Sequence, residues 1–80
     1  MFVPTLRLFA TIRVAAGTGK ATIDGETVGE VLDQAITRFG SEFEQLVPIC
    51  RIWVNGSSAD LTTEVSTGDE VALLPPVSGG

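Results

Sequence analysis

The sequence predicts a two-layered α+β domain, in which a mixed sheet of four to five strands carries one main helix on one face. Three observations lead there. The stretch TLRLFATI near the N-terminus alternates apolar and polar residues, the period of a half-buried strand. A capped, amphipathic helical pattern runs from Thr27 to Gly40. Two later apolar runs, CRIWV and DEVALL, are bounded by turn residues. A single helix can cover only one face of the sheet that these runs would form.

Taken in order, TLRLFATI places Leu6, Leu8, Ala10 and Ile12 on one face, with Arg7, Phe9 and Thr11 on the other. If the helix covers the first set, Phe9 faces outward on an uncovered sheet face, where a large aromatic suits a docking surface. The glycines of AAGTG break the pattern and KATID offers a second short strand, so Thr5 to Ile23 reads as a hairpin with a loose loop. Thr27 and Glu30 fit the capping box, in which hydroxyl and carboxylate satisfy backbone donors left free at a helix start. Val28, Val31, Leu32, Ala35, Ile36 and Phe39 then follow at helical spacing. Burying that stripe is worth roughly 1.5–3 kcal/mol per large side chain before entropy is set against it. Gly40 suits the left-handed conformation that ends many helices. SEFEQLVP has room for a short helical turn. CRIWV reads as a third strand that stops at the turn dipeptide Asn55-Gly56, a short strand is expected near Ala59 to Leu61, and a turn at Gly68-Asp69 leads into a last strand through Leu74. These connections allow a β-grasp over residues 1–74, followed by a tail, 75–80.

Composition narrows the function. At 80 residues and 44% hydrophobic, the chain is one small domain with enough apolar content to fold. Five basic residues against ten acidic ones leave a net charge of −5, which makes nucleic acid and anionic membrane surfaces poor partners. The N-terminus lacks the basic segment and apolar run of a signal peptide, so a cytoplasmic protein is expected. There is no histidine, and the one cysteine, Cys50, sits in an apolar run where a structural thiol is expected. Neither a histidine base nor a metal site built on Cys and His is available.

Two motifs fail on inspection. Gly19-Lys20 resembles the end of a phosphate loop, but Val14 stands where the first glycine belongs and Ala21 replaces the hydroxyl that would hold magnesium. Asn55-Gly56-Ser57 matches a glycosylation acceptor, yet reads better as a turn. The acidic residues are scattered along solvated positions, without the pairing that carboxylate catalysis needs.

The chain finishes PPVSGG. Pro75 and Pro76 fix φ and cannot donate to a ladder, so they end the sheet as a stiff stalk. Six residues from Pro75 span at most about 20 Å, far enough to enter another protein's active site. Gly79 and Gly80 lack a Cβ and can thread a narrow channel. The terminal carboxylate is ionised and can attack an activated phosphate, but it is no acyl donor until an enzyme gives it a leaving group. The chemistry of the tail alone fits a frayed terminus as well as a reactive one.

LRLFATIRVAAG at the start, ETVGEVLDQAITRF in the helix, VNG after the third strand and GDEVALLPPVSGG at the end together resemble the MoaD/ThiS family of ubiquitin-like sulfur carriers. The similarity spans essentially the whole chain, and its last thirteen residues look most like the small subunit of molybdopterin synthase. The resemblance implies a β-grasp fold whose terminal Gly80 is adenylated with ATP by an E1-like enzyme and converted to a thiocarboxylate by a sulfur donor enzyme. The sulfur then passes to a pterin in the large subunit of molybdopterin synthase. Gly80 would carry the sulfur, Gly79 would give passage, and Pro75, Pro76, Val77 and Ser78 would form the inserted stalk. No bound cofactor is implied. The family also includes carriers for thiamin thiazole and cysteine synthesis, and ubiquitin-like modifiers attach the same terminus to lysines.

Overall fold

The computed structural model describes residues 2–76. Its elements run β1 (Thr5–Leu8), α1 (Ala10–Ala16), β2 (Lys20–Thr22), α2 (Val28–Phe39), α3 (Ser41–Leu46), a 3-10 turn (Val47–Ile49), β3 (Arg51–Val54), β4 (Ser57–Ser58) and β5 (Glu70–Leu74). The sheet is mixed, in the order β2-β1-β5-β3-β4. β1 and β5 pair in parallel, with Leu6 opposite Val71 and Leu8 opposite Leu73, and the other neighbours are antiparallel. The result is the expected β-grasp, with the N-terminal and C-terminal strands side by side at its centre.

The helical side of the sheet is dry. Leu6, Leu8, Val71 and Leu73 point from the two central strands into a core shared with Val28, Val31, Leu32 and Ala35 of α2. Ile12 of α1, Phe43 of α3, Ile23 and Val65 complete it, and Phe43 is its largest fully buried side chain. The Phe43 ring lies 5.2 Å from that of Phe39, tilted by 54°, within the range of favourable edge-on aromatic contacts.

The start of α2 shows why its position is so well specified. The Thr27 hydroxyl accepts from the Glu30 amide at 3.2 Å, as a capping box requires. The Glu30 carboxylate reaches one residue further back than expected and accepts from the Glu26 amide at 3.0 Å. The remaining free donors of the first turn go to the loop before β5: Val28 N donates to the Thr63 carbonyl and Gly29 N to the Leu61 carbonyl, each at 2.9 Å. Because the loop supplies those two bonds independently, Thr27→Ala should remove only one cap. We expect a loss of about 1 kcal/mol, read as a fall of about 4–8 °C in thermal midpoint. A change within error would show that the cap contributes nothing here.

Four expectations need correction. The first strand does not continue to Ile12: it stops at Leu8, and Ala10 to Ala16 form a helix. Leu8 and Ile12 are four apart and both buried, a spacing that serves a strand–helix junction as well as an alternating strand. Alanines 10, 15 and 16 favour the helix, and Gly17, at φ 76°, closes it by donating to the Arg13 and Val14 carbonyls. Helix α2 is therefore accompanied by two shorter helices. Gly40 has a positive φ of 97° but a ψ of −170°, so it turns α2 into α3 rather than ending it in a left-handed cap. Finally, β4 lies at Ser57–Ser58, two residues before the expected strand, because Asn55 (φ 50°) and Gly56 (φ 84°) make a two-residue reversal directly after β3.

Asn55 also ties this hairpin to the turn before β5. Its amide Nδ2 donates to Asp69 Oδ1 at 3.0 Å, and its Oδ1 accepts from the Glu70 amide at 2.9 Å. The Asn55 donor, with the Ser66 amide behind it, holds the Asp69 carboxyl below the ordinary carboxylate range.

Candidate functional site

The site of interest lies where β5 runs out. Leu8 pairs with Leu73, so the ends of β1 and β5 lie together, and Phe9 and Leu74 are each the next residue along. Leu74 is exposed, as is Phe9, at 38%. Pro75 is buried against the domain and Pro76 is exposed. The remaining tail residues, Val77, Ser78, Gly79 and Gly80, lie outside the described residues.

Phe9 is not on a strand, as the alternation suggested. It stands at the N-cap of α1 in extended conformation (φ −133°, ψ 156°). The next residue, Ala10, takes a φ of 55°, a left-handed conformation that costs an alanine about 1–2 kcal/mol and redirects the chain into the helix. Phe9 still faces outward, and the Arg7 guanidinium carbon lies 5.8 Å from its ring centre, inside the range of a cation–π contact. Arg7 Nη1 is also 3.4 Å from Glu70 Oε2 in an exposed pair, which contributes little by itself.

The register defines the rest of the surface. Lys20, Arg7, Ala72, Trp53 and Ser58 are paired in one row across all five strands. They occupy the face away from the core, since their neighbours Leu6, Leu8, Val71 and Leu73 point inward. Arg51 and Leu74 form the next row toward the tail. Trp53 and Leu74 were not singled out in the sequence. The signal was present in the alternation of CRIWV and EVALL, but choosing the outward face required the register.

No cluster of His, Cys, Asp and Glu suited to a metal ion occurs among the described residues. Cys50 is half-buried, its Sγ donates to the Leu46 carbonyl at 3.3 Å, and burial pushes its thiol above the ordinary value. Burial thus disfavours its thiolate, the opposite of what activates a nucleophile. No helix among the described residues is long and apolar enough to cross a membrane. What the arrangement offers is an exposed apolar and basic sheet face at the root of a C-terminal tail.

Comparison with known proteins extends this. The model of the ThiS family matches residues 6–80, through the last glycine. The small archaeal modifier protein 1 of Haloferax volcanii is 36% identical over 84 residues, covering 92% of this chain and 97% of that protein. The solution structure of small archaeal modifier protein 1 from Methanosarcina acetivorans superposes with a TM-score of 0.89 at 28% identity, covering all of this chain and 98% of the other. A complex of subunits 1 and 2 of the molybdopterin-converting factor from Helicobacter pylori contains a chain that matches with a TM-score of 0.72 at 28% identity, over 98% and 99% of the two chains.

Proposed function

The chain belongs to the ThiS family of ubiquitin-like carriers and modifiers, and we propose that it carries sulfur on Gly80 for molybdopterin synthesis. The observation that carries this reading is that the family match runs through the terminal Gly-Gly, on a chain without histidine and with its one thiol half-buried and its thiolate disfavoured by burial. Such a chain needs its chemistry done by partners. An E1-like enzyme would bring ATP, the Gly80 carboxylate would attack its α-phosphate, and pyrophosphate would leave. A sulfur donor enzyme would then supply sulfide-level sulfur, whose attack on the acyl carbon forms the C–S bond as the C–O bond to AMP breaks and AMP leaves, to give a thiocarboxylate.

Pro75 is buried against the domain, so of the expected stalk Pro75 to Ser78 only Pro76 to Ser78 would be inserted; with Gly79 giving passage, the thiocarboxylate end would enter the large subunit of molybdopterin synthase and pass its sulfur to a pterin precursor. Cytoplasmic ATP supplies the energy. The test is to mix thiocarboxylated chain with that large subunit and the pterin precursor. Formation of the dithiolene supports the molybdopterin branch, whereas a stable thiocarboxylate beside a competent large subunit rules it out.

The exposed face around Phe9 is the proposed docking surface for these partners. Phe9→Ala should weaken binding to the activating enzyme, measured by titration calorimetry, while leaving the thermal midpoint nearly unchanged, because the ring is not part of the core. A large loss of stability with normal binding would overturn the assignment.

A second reading is favoured by the similarity to small archaeal modifier protein 1: Gly80 forms isopeptide bonds to lysines of other proteins. Isopeptide-linked Gly80 adducts in cell extracts distinguish it from a carrier found only as free thiocarboxylate. Lys20 is the only lysine in the chain, so attachment to a second copy has a single side-chain address.

A further inference from the structure

We propose that a cationic depression beside the tail root, lined by Arg7, Phe9, Arg13, Thr18 and Lys20, docks a carboxylate-rich segment of the protein that receives the tail. This rests on the carrier reading only for the identity of the protein, not for the chemistry of the site. The depression encloses about 390 Å³. Three of the five basic residues in a chain of net charge −5 line it.

The cations are placed by the fold. Arg7 and Lys20 are register partners on β1 and β2, so their side chains share the face away from the core. Arg13 comes from α1 and lies over the loop at Gly19, where an added Cβ would sit 3.1 Å from Arg13 Nε. A Cβ at residue 19 would crowd the flexible Arg13 side chain and shift it by a few tenths of an ångström. Phe9, against the Arg7 guanidinium, forms an apolar wall. Among the described residues, Glu70 is the acidic group that pairs with these cations, 3.4 Å from Arg7. Asp24, Glu26, Glu30 and Asp33 instead line a separate depression at the start of α2.

This segregation sets orientation. A partner segment bearing carboxylates is repelled by the α2 side of the domain and attracted to the β1–β2 side, which steers encounter toward one pose. Continuity with the tail argues that the occupant is the tail-receiving protein: Lys20, Arg7 and Ala72 lie in one row, so the depression is about two strand spacings, about 10 Å, from β5. Any protein enclosing the tail lies close to this face. A nucleic acid is disfavoured by the net charge. The phosphate of an adenylate bonded to Gly80 stands up to about 20 Å beyond Pro75.

The test has two parts. Isotope-labelled protein is titrated with tetraglutamate, and separately with inorganic phosphate at matched ionic strength, while backbone amide shifts are followed. Tetraglutamate should move Arg7, Gly19 and Lys20 saturably, the shifts should vanish in the folded variant R7E/K20E and at high salt, and phosphate should not reproduce them. Scattered shifts, no shifts, or an identical response to phosphate would overturn the proposal. With the cognate activating enzyme, R7E/R13E/K20E should raise KM roughly tenfold, the combined effect of three exposed ion pairs, with kcat unchanged. The reversal R38E, at the far end of α2, should leave both constants as they are. An equal effect of R38E would reduce the result to net charge. If the enzyme modifies neither native protein nor variants, the carrier reading fails while the titration still decides the docking site.

Discussion

One alanine added after Gly80 should abolish activation while the domain stays folded. In the proposed function the reacting group is the carboxylate at the tip, and an activating enzyme that places it against the α-phosphate of ATP would have to fix its position to within a fraction of a residue length. An extra residue moves the carboxylate by about 3.5 Å and introduces a Cβ where two glycines leave none. Reactions that depend on near-attack geometry lose orders of magnitude for misplacements of about 1 Å. Deleting Gly80 should fail in the same way, since the Gly79 carboxylate stops one residue short. The measurement is ATP–pyrophosphate exchange with the cognate activating enzyme, alongside thermal midpoints of the three proteins. Exchange by native protein alone, with equal midpoints, is the expected result. Comparable exchange by the extended chain would remove the terminus from the chemistry.

The second large effect is on stability. Phe43 is fully buried on the helical side of the sheet, and its ring packs on Phe39. Phe43→Ala removes most of that side chain and leaves a cavity, a change that costs about 3–5 kcal/mol in well-packed cores. A domain of this length has roughly 4–12 kcal/mol in total. We therefore expect the urea midpoint to fall by a large fraction of its native value. A shift corresponding to less than about 1 kcal/mol would mean that α3 is not part of the folding core.

The contrast with Thr27→Ala and Phe9→Ala ranks the residues by what they hold together. Phe43 joins the short helix to the core and Thr27 satisfies one amide. Phe9, outside the core, is expected to matter chiefly for what binds from outside.

Local chemistry made much of the fold legible. Thr27 and Glu30 announce α2 because the bonds that define its start lie within four residues of one another. Asn55-Gly56 announces its reversal because positive φ at two successive positions suits few other pairs. The β5 alternation and the prolines after it were equally plain. Helix α1 was not, since Leu6, Leu8 and Ile12 fit an alternating strand and a strand–helix junction alike, and only packing of Ile12 into the core separates the two.

The site divides in the same way. The tail itself left Gly80 as either a reactive or a frayed end, and only the family resemblance chose between them; Phe9 was expected to face outward and does, though at a helix start. Trp53, Leu74 and the pairing of Lys20 with Arg7 could not be found locally. Trp53 and Leu74 depend on how β5 pairs with β1 and β3 and on which face the core then takes, and the pairing of Lys20 with Arg7 depends on the antiparallel register of β1 and β2 across helix α1.

The most direct test of the central claim is the intact mass of the native chain after incubation with the activating enzyme, ATP and a sulfur donor enzyme. The account predicts a gain equal to the replacement of one oxygen by sulfur, localised by fragmentation to Gly80 and absent when ATP is withheld. An unchanged mass beside a competent enzyme pair, or sulfur found on Cys50 instead, would contradict it.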